Sequence, residues 1–260
     1  MNKKRNSLLL LVLVFILIAI NYSFFDSALI NFFDESETFF IERVIDGDTI
    51  VSNKTSIRLL GINCPEKGEK YYSEAKEFLS EKVLNKSIKL EFGKEKYDLY
   101  KRMLAYLFID GKNINLKLVE QGLANFYFPS GKDKYYSEFY SAWENCIKEN
   151  KNLCEKSSDK CASCIILRDL NVESQKIIFE NICNFDCDID NWGIKDEGRK
   201  KFFFENFVLM KNSKVGIVVG NWTNTKEKLF WKNEEYVWTK SGDTLFLRDS
   251  SGKLVLWKSY

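Results

Sequence analysis

Asp46, Asp48, Arg58, Asn63 and Glu66 fall within one stretch, RVIDGDTIVSNKTSIRLLGINCPE, among short apolar runs. Asp46-Gly47-Asp48 is ordinary turn chemistry. Arg58 is harder to place. It interrupts the apolar run SIRLLGI, where a guanidinium must either reach out to water or serve a site. If the runs pair as a meander, Asp48 and Asn63 stand at strand ends and face one another. Oxygens converging in this way, completed by water, suit a hard cation such as Ca2+. Arg58 beside them suits an anion, through its planar fork. A cation and an arginine about one site point to phosphate. A plainer reading stands next to this one: Glu66 after Pro65 as a solvated loop carboxylate, Arg102 as a surface charge and Tyr100 as a packing group.

Short strands must hold these groups. FFIERVI, TIVS and SIRLLGI read as strands separated by DGD and NKT turns. The segment 71–85 predicts a helix with Ala75, Phe78, Leu79 and Val83 at helical spacing and Ser73 as its N-cap. SIKLEF and MLAYLFI read as strands, and 114–126 and 135–152 as helices. Three strands, a helix, two strands and further helices predict a mainly β fold with helices, a five-stranded barrel of the OB type. From Ile165 the runs KIIFENI, KFFFE, VGIVVG, YVWT, DTLFLRD and LVLWKSY are separated by turns, which predicts an antiparallel β-sandwich.

Composition narrows the chemistry. The 260 residues include no histidine, which excludes a Ser-His-Asp triad, a Cys-His dyad and a His-ligated zinc. Any general base must be Asp, Glu, Lys, Tyr or Cys. A formal net charge of +2 is too small to argue nucleic-acid binding from charge alone. At the N-terminus, basic residues precede the apolar run Leu8–Ile20, so 1–25 reads as an export signal or a retained membrane anchor. The expected location is the cell membrane with the domains outside, or secretion. Residues 26–38 read as a tether.

The motifs IDGDTI, IRLLGINCPE, DLYKRMLAYLFIDGK and LVEQGLANFY occur in the order and spacing of the staphylococcal nuclease family, over about 39–152. This resemblance implies a Ca2+-dependent endonuclease that hydrolyses the phosphodiester bonds of DNA and RNA and leaves 3′-phosphates, with no small-molecule cofactor. Carried over by position, Asp48 matches a metal-binding aspartate. Asn63 stands where the family usually has a second one, and Cys64 where a backbone carbonyl binds the ion. Glu66 matches a glutamate that acts as general base or orients the attacking water, Arg58 and Arg102 the phosphate clamp, and Tyr100 a tyrosine near the phosphate. Asp46 and Thr49 match positions that support the ligands. Asn63 keeps an oxygen but loses a charge, so the resemblance implies weaker Ca2+ binding.

Cys146, Cys154, Cys161, Cys164, Cys183 and Cys187 lie near or beyond a shift in composition at 153, with 153–164 reading as a Cys-containing linker. The spacing of CASC and CNFDC admits a zinc site. The exported context favours disulfides. Residues 165–260 resemble the lamin-tail domain, an immunoglobulin-like sandwich, through NWGIKD and GDTLFLRDSSGK. In this part Asp243 and Asp249 read as turn caps, and Trp192, Trp231 and Trp238 as core. The sequence thus predicts an exported or membrane-anchored nuclease with an accessory β domain. The competing expectation is a catalytically weak nucleic-acid-binding or adhesion module on the same folds.

Overall fold

The computed structural model describes residues 36–260, so the predicted signal or anchor over 1–25 lies outside it. Among the described residues no helix is long and apolar enough to cross a membrane. The first strands are β1 (Ser36–Phe40), β2 (Arg43–Asp46), β3 (Thr49–Ser52), β4 (Thr55–Leu59) and β5 (Gly61–Asn63). They are followed by helix α1 (Tyr72–Val83), β6 (Ser87–Tyr97), β7 (Met103–Ile109) and β8 (Lys112–Asn113). Helix α2 (Ile114–Glu120), β9 (Asn125–Tyr127) and helix α3 (Tyr136–Glu149) complete this half. One sheet runs in the order β1-β6-β7-β4-β3-β2, with β8 on β7 and a separate β5-β9 ladder. It is a half-barrel, consistent with the OB-type nuclease fold.

Helix α1 buries Ala75, Leu79 and Val83 against this sheet's core, and α3 buries Phe139, Ala142, Trp143 and Cys146, both at helical spacing. Two local expectations need correction. Ser73 is not the N-cap of α1. Tyr71 takes that place with a left-handed φ of 69° and no side-chain cap, so Ser73 lies inside the helix. Helix α2 stops at Glu120 rather than running to 126. Gly122 turns with φ +63°, and a Cβ there would lie 2.5 Å from the Lys151 carbonyl oxygen, a contact only glycine avoids. The turn releases Asn125–Tyr127 to pair with β5, which sets Asn63 opposite Asn125.

The C-terminal half contains β10 (Ile165–Asn171), β11 (Lys176–Asn181), β12 (Cys187–Asp188), β13 (Gly193–Lys195) and β14 (Lys201–Phe203). It continues with β15 (Val208–Leu209), β16 (Lys214–Val219), β17 (Lys228–Trp231), β18 (Thr244–Arg248) and β19 (Leu254–Ser259). Two four-stranded sheets, β10-β11-β16-β17 and β14-β13-β18-β19, flank a core that includes Trp192, Trp231 and Trp238. YVWT forms no strand. The N–H groups of Val237 and Trp238 donate to Gln175 Oε1 at 2.7 and 2.9 Å, so a side chain takes the bonds a neighbouring strand would have taken. Disulfides join Cys146 to Cys154, Cys161 to Cys187 and Cys164 to Cys183. Asp243 and Asp249 accept backbone N–H groups at turns, as expected.

Thr38–Tyr260 forms one compact unit. Phe246 and Leu254 are buried in the same apolar cluster as Phe126 and Trp143, and Trp257 packs on it. Full burial of a side chain such as Phe246 contributes about 2–3 kcal/mol, so this seam is a core and not a loose contact.

Candidate active site

The site grows from the Asp46-Gly47-Asp48 turn between β2 and β3. The Asp48 N–H donates to Asp46 Oδ1 at 3.1 Å and closes the turn. A Cβ on Gly47 would lie 2.7 Å from Ala75 Cβ and 2.8 Å from Cys64 Sγ, so glycine lets the turn rest directly on α1. Asp48 is only 5% exposed. Its Oδ1 accepts from the Thr49 hydroxyl at 3.0 Å, and its Oδ2 accepts from the Cys64 N–H at 2.9 Å. Arg58, opposite Thr49 in the β3–β4 register, reaches the same Oδ2 through Nη2 at 3.1 Å. That nitrogen also donates to Asn63 Oδ1 at 3.3 Å, and Nη1 donates to the Leu59 carbonyl at 2.6 Å. The guanidinium lies 5.9 Å from the centre of the Tyr127 ring. Arg58 therefore does not snorkel. It is buried among acceptors, which offset the cost of taking its charge out of water.

Burial, helped by the charge of Asp48, raises the Asp46 carboxyl above its usual range. Burial also pushes the Cys64 thiol well up, again with Asp48 adding to the effect. A thiol so held is a packing group and not a nucleophile.

The C-terminal half closes over this cluster. The Asn63 Nδ2 donates to the carbonyls of Glu197 and Gly198 at 3.2 and 2.6 Å. Glu66, on the rim, pairs its Oε1 with Arg199 Nε at 2.8 Å. Its neighbour Glu69 pairs with Lys201. Glu197 turns inward and accepts from the Phe128 N–H at 3.3 Å. Burial, then the nearby Asp243 charge, lifts Glu197 to about 8 and Asp196 to about 7. Asp243 is also raised by burial, but it accepts N–H groups from Glu197, Thr244 and Thr239, which favour its charged form.

Tyr100 and Arg102 sit apart, in the turn between β6 and β7. Arg102 Nε donates to Asp98 Oδ2 at 2.7 Å and stacks 5.5 Å from the Tyr100 ring, which is 81% exposed. The register pairs Arg58 with Leu104, so Arg102 lies two residues before that partner, just ahead of the start of β7. Asp46, Asp48, Thr49, Arg58, Asn63 and Cys64 thus converge, Glu66 flanks them, and Tyr100 and Arg102 project from an adjacent turn.

A family model described as Staphylococcal nuclease homologue matches residues 56–156. The thermonuclease of Staphylococcus intermedius is 32% identical over 130 residues, covering 46% of this chain and 77% of that protein. The thermonuclease of Staphylococcus hyicus is 30% identical over 167 residues, covering 59% of this chain and 98% of that protein. This chain belongs to the staphylococcal nuclease family. Endonuclease YncB of Bacillus subtilis is 33% identical over 129 residues, 45% of this chain and 61% of that protein.

Membership in the staphylococcal nuclease family raises the question of a cation. A divalent ion between Asp48 and Asn63 would take their side-chain oxygens as ligands. Here the Arg58 Nη2 lies 3.1 Å from Asp48 Oδ2 and 3.3 Å from Asn63 Oδ1, in the space such an ion would take. Asp48 Oδ1 accepts from Thr49 and retains a further lone pair. In this arrangement the Arg58 guanidinium bridges the expected ligands Asp48 and Asn63. Sequence reasoning missed Tyr127, Lys195, Glu197, Gly198 and Arg199, because motifs of the nuclease family end before the segment that supplies most of them. The charge-dense run IKDEGRKK was the signal available.

Proposed function

We propose that this chain is an exported or membrane-anchored endonuclease acting on DNA or RNA, whose phosphodiesterase site is covered by its own C-terminal half. The observation that carries this reading is the convergence of Asp48, Arg58 and Asn63 beside Glu66, within a chain whose relatives are thermonucleases. Without histidine, Glu66 is the group placed to take a proton from water. The water oxygen forms a bond to phosphorus, the bond to the 5′ oxygen breaks, and that oxygen leaves with a proton from solvent. Arg58 stabilises the charge gathering on the phosphoryl oxygens, with Arg102 as the second arm of the clamp and Tyr100 beside it. Asp46 and Thr49 hold Asp48, which orients Arg58, and Cys64 anchors Asp48 through its backbone N–H.

The family resemblance implies Ca2+, which Asp48 and Asn63 would hold with the Cys64 carbonyl and which would supply Lewis-acid stabilisation of the phosphoryl oxygens; no step here is routed through it. Three disulfides support an oxidising location outside the cytosol, in keeping with the N-terminal apolar run. The two four-stranded sheets of the C-terminal half support its lamin-tail, immunoglobulin-like reading. Digestion of plasmid and single-stranded DNA by the full chain, with Ca2+ and with chelator, tests the proposal. Glu66→Gln should slow cleavage about 100-fold or more. Unchanged cleavage in that variant sinks the assignment.

A further inference from the structure

A cavity of about 470 Å3 lies where the loop carrying Pro65 and Gly68 meets β13 and the β18–β19 turn. Lys70, Lys195, Lys201 and Arg248 all line it. Two of these charges are matched: Lys70 faces Glu155 at 3.9 Å and Lys201 pairs with Glu69. The other two are not. The Lys195 ammonium makes no direct ion pair among the described residues, although the Asp196 charge acts on it. Arg248 donates through Nη1 to the carbonyls of Leu153 and Gly252 at 2.6 and 3.1 Å, while its buried Nη2 has no partner. Asp249 also lines the cavity, but its oxygens are taken by the N–H groups of Ser251 and Lys253 and by the Ser157 hydroxyl. A buried donor with no acceptor is costly, and the Arg248 Nη2 is one that faces a cavity shared with the Lys195 ammonium. Burial in fact lowers Lys195 to about 8 and Arg248 to about 10. An anion with several acceptor oxygens would relieve both.

We propose that this cavity binds a phosphate of the nucleic-acid strand, one neighbouring the phosphate handled by Arg58 and Glu66, so that the C-terminal half supplies a substrate subsite. This rests on the nuclease reading above. The cavity is lined by Pro65 and Gly68 of the loop that carries Glu66, and the Glu66 and Asp48 carboxylates are near enough to act on Lys195. A strand laid across the site would therefore touch both halves of the chain.

The test uses the full chain in a Glu66→Gln background, with inorganic phosphate titrated by calorimetry and a short single-stranded oligonucleotide by fluorescence anisotropy. Lys195→Met should weaken oligonucleotide binding about tenfold and reduce the slope of log affinity against log salt by about 0.7, the loss of one phosphate contact. Lys195→Arg should restore both. Arg248→Lys, which keeps a charge and spares the turn, should weaken binding less. Unchanged oligonucleotide affinity and salt slope in Lys195→Met overturn the proposal. Loss of inorganic phosphate binding with strand affinity unchanged also overturns it, assigning the cavity to a free anion. Cleavage by the unmodified chain is scored separately: its absence overturns the nuclease reading, whereas the binding comparison judges the cavity whether or not the strand is cut.

Discussion

The Asn63 carboxamide donates to the Gly198 carbonyl oxygen at 2.6 Å, across a separation of 135 residues. The residue type is thereby explained by the segment that covers it. An aspartate has no N–H to give, and its carboxylate would face the two carbonyls of Glu197 and Gly198. Replacing Asn63 by Asp should therefore destabilise the closed arrangement by about 1–3 kcal/mol, the cost of leaving buried acceptors without donors. A closer pairing with Arg58 offsets part of this. Limited proteolysis and thermal unfolding of Asn63→Asp measure the effect, and an unaltered melting temperature would show that these bonds hold nothing.

Arg199 restrains Glu66 at the rim. The pair is exposed, so its removal should change stability little. Its effect should be catalytic: Arg199→Ala leaves Glu66 free to accept a proton, and the initial rate on single-stranded DNA should rise several-fold. A rate equal to or below that of the natural chain would mean that Arg199 does not hold the base back.

Stability should follow pH in two limbs. Glu197 near 8 and Asp196 near 7 keep protons in the folded chain that the unfolded chain has released above its ordinary carboxyl range. The folded state then binds more protons, so stability falls as pH rises from about 4 to 8, by on the order of a few kcal/mol. Asp243, Lys195, Lys200 and Tyr260 share the surroundings. Lys195, lowered to about 8, acts with the opposite sign: the unfolded chain binds the extra proton between 8 and its ordinary value, so stability recovers above pH 8. Urea unfolding midpoints at pH 5, 8 and 10 should pass through a minimum. Glu197→Gln should flatten the lower limb, and an equally steep limb in that variant assigns the trend to other groups.

Much of the site was legible because it is local. Asp48 sits in the turn before β3, Arg58 on β4 and Asn63 at the end of β5, and a turn dipeptide with a lone arginine in an apolar run is enough to suggest their meeting. The end of α2 was not legible, since Gly122 alone does not disclose the Lys151 carbonyl that it must clear. YVWT has strand composition, yet Gln175 captures its N–H groups from more than sixty residues away. The covering residues Glu197, Gly198 and Arg199 were invisible for a similar reason. Their role depends on how two halves meet, and neither half's periodicity encodes that meeting.

The seam of Phe246, Leu254 and Trp257 against Phe126 and Trp143 has a consequence for biogenesis. A chain emerging from the ribosome presents the half-barrel long before β18 and β19 exist, and until then Phe126 and Trp143 have part of their surface in water. The first half cannot reach its final packing before the last strand of the second has been made. The last strands to be made, and not the half-barrel's own, therefore complete the packing around Phe126 and Trp143.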